Sequence, residues 1–235
     1  MKLCKSAKVE SLTLSQDDLA AINTHTLREL TAEEVYTFKL LMCDNEIDRD
    51  LERFSIDALH GFAKLFKGKP MISDHVPSAA NQTARIYDTE VVQDAERKTS
   101  TGEPYTALYA KAYMVRTAGN ADLIKEIDAG IKKEVSVGCV AGRRSCSVCG
   151  NETEKCRHIP GRTYDGIYCH SIINDALDAY ETSFVAMPAQ RAAGTIKSHE
   201  VEDGNPNTST DETAAKAIRD IDMLDAFIFC EKEKG

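Results

Sequence analysis

The feature that most constrains this chain is a run of cysteines that only a local, closely folded-back loop could use. Four of its eight cysteines fall between Cys146 and Cys169. Cys146-Ser147-Val148-Cys149 is followed by Gly150 and then by Cys156-Arg157-His158, a C-x2-C-x6-C-x-H pattern. A C-x2-C turn lets two thiolates face one ion, and the later Cys and His complete a tetrahedron suited to zinc. Cys169 and His170, after Gly166, are further candidate ligands. Met1 to Ser6 lacks the apolar stretch of a signal peptide, which predicts a cytosolic protein with reduced thiols. Free surface thiols explain such clustering poorly in that compartment, so the spacing predicts Zn2+ held by Cys146, Cys149, Cys156 and His158. Four protein ligands leave no position for a reactive water, so the ion is expected to be structural. Arg143, Arg144 and Lys155 stand nearby in sequence to offset the thiolate charge.

Around this segment the pattern is that of a mixed α+β domain. Val35–Cys43 is rich in β-formers and reads as a buried strand. Ser55 is placed to cap a helix carrying Ile56, Leu59, Phe62 and Phe66 at helical spacing, ended by Gly68. Pro70–His75 reads as a strand running into a polar loop. Thr83–Gln93 and Tyr105–Val115 read as a long hairpin, and Ala121–Ala129 as a helix. Lys133–Val140 and Ala176–Pro188 give two further strands. The pattern predicts a closed or strongly curved sheet with short helices, divided as an N-terminal arm (1–34), a domain (35–195) with an insertion (142–170), a flexible linker (196–212) and an amphipathic C-terminal helix (213–235).

A formal charge of −9 argues against general binding of nucleic-acid phosphate. No apolar run is long enough to cross a bilayer. Asp44–Asp50 superficially suggests a calcium loop but lacks the required Gly and final Glu.

Serine needs a neighbouring base, usually His, oriented by a third group. Ser136 lies on a predicted strand and is followed by Gly138, whose missing side chain would let a substrate carbonyl approach the backbone. His75 ends a strand, and Glu181 is an acid inside a β-like segment where burial requires a partner. Glu134 shares a face with Ser136 and competes for the third role. Cys139 has the opposite parity and is expected in the core; His25 and His60 are expected to be solvated or packing residues.

Three stretches resemble the prohead protease family of tailed phages. They are Ser73-Asp74-His75 with Gln82–Ile86 beyond a short loop, Lys133-Glu134-Val135-Ser136-Val137-Gly138, and Glu181–Ala189 ending in Pro188-Ala189. Their order matches the family over about Val35 to Ala193. The resemblance implies a closed β-barrel wrapped by short helices, like herpesvirus assemblin, and a serine endopeptidase that cuts scaffold and capsid precursors. By position, Ser136 is then the nucleophile, His75 the base and Glu181 the orienting acid. It also implies action inside the assembling prohead in the host cytoplasm, and by analogy a homodimer. The cysteine insertion departs from the general family pattern. The rival expectation is a non-catalytic head-assembly or scaffolding protein that keeps the fold and the zinc element.

Overall fold

The computed structural model describes residues 14–196. The expected C-terminal helix and all of the linker but Ile196 lie outside the described residues. In chain order the elements are α1 (Gln16–Asn23), β1 (Val35–Asp44), β2 (Glu52–Phe54), α2 (Ile56–Phe66), β3 (Pro70–Ser73), β4 (Ala84–Lys98) and β5 (Pro104–Val115). They continue as α3 (Ala121–Asp128), β6 (Val135–Ala141), β7 (Arg144–Cys146), β8 (Thr163–Tyr164), β9 (Ile167–Tyr168), β10 (Ser171–Ile173), β11 (Ala176–Phe184) and β12 (Gly194–Ile196).

Alternation along β1 builds the core. Tyr36, Phe38, Leu40 and Met42 point to one face and meet Phe54, Phe62, Met71, Leu108 and Phe184. The same cluster receives α2, whose Ser55 cap accepts a hydrogen bond from the Ala58 amide at 3.1 Å and whose Leu59, Phe62 and Phe66 are fully buried. Each such side chain contributes about 1.5–3 kcal/mol by leaving water. The β4–β5 hairpin turns through Gly102, whose φ of +85° suits a residue without a Cβ. The opposite face of the β1–β5–β4 region is covered by residues expected to belong to the arm. Ile22 of α1 is fully buried with Leu30, Val35, Tyr87 and Tyr113, and Asp18 accepts bonds from Lys111 at 2.9 Å and Tyr87 at 3.2 Å.

The main sheet has seven strands in the order β12-β1-β5-β4-β3-β11-β6. The architecture is α+β, as expected, but the closed barrel is not formed. β12 is only three residues long and spends them pairing with Lys39–Leu41 of β1. Between the two ends of the sheet there remains one isolated bridge, Glu134 to Gly194. A separate three-stranded sheet, β2-β10-β7, joins the cysteine segment to the body, and β8–β9 forms a small hairpin within that segment. No described helix is long and apolar enough to cross a membrane.

Candidate active site and metal centre

β3 runs parallel to β11, with Ser73 opposite Phe184. Immediately after β3 the chain turns through two consecutive left-handed residues, Asp74 and His75, each at φ 54°. Asp and His tolerate this region better than most residues, but it persists only where surrounding contacts enforce it. Here β11 supplies them: the Asp74 amide donates to Phe184 O at 2.9 Å, and the His75 amide to Ser183 Oγ at 3.0 Å. Asn81 closes the loop from the other side through Ser73 O (2.8 Å) and Val76 O (2.9 Å).

This turn brings the His75 ring onto β11, where Nδ1 lies 2.7 Å from Glu181 Oε1. With Nδ1–H donated to the carboxylate, Nε2 is left as the basic nitrogen. The Glu181 side chain is 11% exposed, the His75 side chain 43%. The second carboxylate oxygen, Oε2, accepts from Ser183 Oγ at 2.7 Å. Glu181 lies opposite Gly138 of β6, and Ser183 lies opposite Ser136. A Cβ on Gly138 would overlap Glu181 Oε1 and stand 3.0 Å from its Cδ. The space left by Gly138 is thus filled by the Glu181 carboxylate, rather than kept open for a substrate carbonyl.

Alternation on β6 sends Val135, Val137, Cys139 and Ala141 to the core cluster, and so turns Ser136 and Gly138 to the opposite face. Directly opposed residues in an antiparallel pair have Cβ atoms about 4.5–5.5 Å apart. Ser136, Ser183, Glu181 and His75 therefore share one face of the sheet. His75 and Glu181 are in contact; no hydrogen bond joins His75 to Ser136. The competing acid, Glu134, pairs with Lys133 at 3.6 Å and sits by the bridge to β12, away from the Glu181–His75 contact. Cys139 is half-buried against the core cluster, on the side its parity predicts, and burial pushes its thiol up to about 11, which keeps it mostly protonated at neutral pH.

Ser136 also borders a cavity of about 150 Å3 that lies mainly on the core-facing side of β6, lined by Val137, Cys139 and Ala141 with Met42, Phe54 and Ile173. Asp48 and Glu52 also line it. Burial raises the Asp48 carboxyl to about 6, against the opposing effect of the Glu52 and Asp50 amides that donate to it. Arg144 pairs with Glu52 at 3.4 Å and Arg143 with Asp175 at 3.7 Å, so both arginines already have carboxylate partners.

At the far end of β7, Cys146, Cys149, Cys156 and His158 bring one donor atom each to within 4.8 Å of all the others. Cys149 and Cys156 Sγ are 3.4 Å apart, and His158 Nδ1 lies 3.2 Å from Cys156 Sγ and 3.7 Å from Cys146 Sγ. A tetrahedral zinc with bonds of about 2.3 Å to sulfur spaces its ligands by about 3.8 Å, so the four donors fit a metal ion such as zinc. Burial opposes ionisation of Cys146, but amide donors from Cys149 and Val148 prevail and bring its thiol down to about 7. Lys155 pairs with Glu152 instead of facing the thiols. Cys169 is buried, with its Sγ 3.9 Å from that of Cys146. His170 is turned away: its Nδ1 bonds Tyr168 O at 2.9 Å and its Nε2 accepts from Arg53 Nε at 3.1 Å.

Ser183 escaped the sequence reading. Its signal was present as Glu-x-Ser on a strand, which puts both side chains on one face, but a serine there is normally no more than a small residue. In comparisons with known proteins, no family model, no curated protein and no solved structure matches the chain.

Proposed function

We propose that the chain is a serine endopeptidase with Ser136 as nucleophile, His75 as general base and Glu181 as the acid that orients it. The observation that carries this reading is the 2.7 Å contact between His75 Nδ1 and Glu181 on the sheet face that also holds Ser136. In the reaction, Ser136 Oγ attacks the scissile carbonyl while its proton passes to His75 Nε2. The same proton is then given to the departing amine, leaving an acyl group on Ser136 that water removes with His75 again acting as base. Glu181 stays ionised and stabilises the imidazolium. No hydrogen bond joins His75 to Ser136 in the free chain, and catalytic hydrogen bonds of this kind often tighten only when substrate is bound.

The resemblance in the three ordered motifs supplies the substrate class: scaffold and capsid precursor proteins cut inside a phage prohead, with homodimerisation by analogy to the viral fold. Zn2+ is the ion proposed for Cys146, Cys149, Cys156 and His158, where it serves to hold the cysteine segment folded. A second reading is a non-catalytic head-assembly protein with the same scaffold, and the lack of a His75–Ser136 hydrogen bond favours it. A fluorophosphonate probe separates the two, because it phosphonylates only a serine activated by a base. The wild-type chain is expected to acquire the adduct on Ser136, by mass spectrometry of its peptides, and to cut the matching precursor. Ser136→Ala should do neither. An unlabelled Ser136 together with an intact precursor under assembly conditions would leave the assembly-protein reading.

A further inference from the structure

We infer that Ser183 is a positioning residue of the candidate active site, whose single hydroxyl fixes both the backbone of His75 and the carboxylate of Glu181. The inference rests on the assignment of His75 and Glu181 proposed above. Ser183 is fully buried. Its Oγ accepts from the His75 amide at 3.0 Å and donates to Glu181 Oε2 at 2.7 Å. A hydroxyl has one proton to give and lone pairs to receive, so these two bonds define its orientation.

Both bonds meet a need that no other described group fills. The His75 amide belongs to a residue held at φ 54°, a conformation that must be enforced from outside. The Glu181 carboxylate is largely buried above Gly138, with one oxygen on His75 and the other on Ser183. Without the hydroxyl, Oε2 would be left unsatisfied, and the carboxylate would gain by rotating toward any other donor or toward water. That rotation would release Nδ1 of His75, and with it the preference for the tautomer that leaves Nε2 basic. Ser183 also stands directly across from Ser136. Its hydroxyl therefore ties the base to the acid, and its backbone register sets both beside the nucleophile strand, without the side chain touching the reacting bond.

The test uses the full chain labelled with 15N at histidine. In the wild type, the ring shifts of His75 are expected to report Nδ1–H as the dominant tautomer. In Ser183→Ala they should report a mixture, and fluorophosphonate labelling of Ser136 should slow about tenfold to a hundredfold, as misplacement of a catalytic group does. Ser183→Thr keeps a hydroxyl and should recover much of the labelling rate. Ser183→Cys, nearly isosteric but a weak donor, covers the case in which alanine prevents folding and should show the same mixed tautomer. Unchanged His75 shifts and an unchanged labelling rate in a folded Ser183→Ala or Ser183→Cys protein would overturn the inference. The NMR readout requires no turnover. If Ser136 proves unreactive even in the wild type, the peptidase reading falls while the tautomer still decides whether Ser183 positions His75.

Discussion

Where Glu181 can lie is decided by a residue with no side chain. Gly138 faces it across the β6–β11 pair, and the volume a methyl group would take is already held by the carboxylate. Gly138→Ala therefore forces Glu181 off His75 or pushes the two strands apart. The expected result is loss of about 1–3 kcal/mol of stability, as for other overpacked sites. Fluorophosphonate labelling of Ser136 should slow at least about tenfold with it. Urea melts and labelling rates measured on one preparation check both; an alanine variant as reactive as the wild type would show that the Glu181–His75 contact is dispensable. Asp48 gives a prediction about pH. Burial lifts its carboxyl from the ordinary 3.8 to about 6 in the folded chain. Below pH 4 both folded and unfolded chains hold the proton, and it has no effect on stability. Between about 4 and 6 the folded chain keeps a proton that the unfolded chain has lost, so this contribution to stability falls as pH rises, and above 6 the full penalty of a buried charge remains. Asp48→Asn retains an oxygen for the Asp50 and Glu52 amides and removes the charge. Its melting temperature should exceed that of the wild type at pH 7.5, with the gap closing toward pH 4. A gap that stays constant between the two would assign the effect to something other than ionisation.

At the scale of elements, what could be read in advance was what repeats within a few residues. α2 announced itself through the Ser55 cap and the spacing of Leu59, Phe62 and Phe66, because helical burial leaves a 3.6-residue period in the chain. The β4–β5 hairpin was visible through its two β-rich arms, though β4 runs on to Lys98 where Gln93 was the expected end. Its last residues are mostly exposed and charged; Asp94 and Lys98 pair with Tyr105 and Pro104 of β5 across an irregularity, and pairing of that kind leaves no mark in side-chain alternation. β2, β7, β8, β9 and β10 have two or three residues each, too few for any period. α1 falls in the segment whose composition predicts a loose arm, because its docking depends on Tyr87 and Tyr113 from a distant hairpin. The candidate site divides in the same way. Residue types and order placed His75 at a strand end and Ser136 on a strand, whereas the two left-handed residues and the Ser183 hydroxyl follow from the parallel β3–β11 contact, more than a hundred residues apart in the chain.

For the molecule as a whole, the question is whether the thiol cluster and the serine face are one system. Backbone pairing links the thiol cluster to β2, and a cavity that β2 shares with the Ser136 strand completes the connection. Cys146 ends β7 and lies opposite Ser171 of β10; Ser171 is in turn paired with Glu52 of β2. Glu52 and Phe54 of β2, Ile173 of β10 and Arg144 of β7 all line the cavity beside Ser136. Arg53, between those two β2 residues, anchors the same sheet to the end of the long hairpin through Glu103 at 2.8 Å. Three strands of three residues each cannot hold together on their own, and a bound metal would supply the missing stability by fixing the start of the segment. His75, Glu181 and Ser183 instead belong to the main sheet, where α2 and the core cluster support β3 and β11. Removing the metal with a zinc chelator should therefore act on one side only. Amides of β7 and β10 are expected to exchange with deuterium much faster, and fluorophosphonate labelling of Ser136 to slow several-fold as the cavity wall loosens. The His75 ring shifts should stay where they were. Undiminished labelling after metal loss, with β7 and β10 exchanging freely, would mean that the cysteine segment serves another surface and that the serine face stands on the seven-stranded sheet alone.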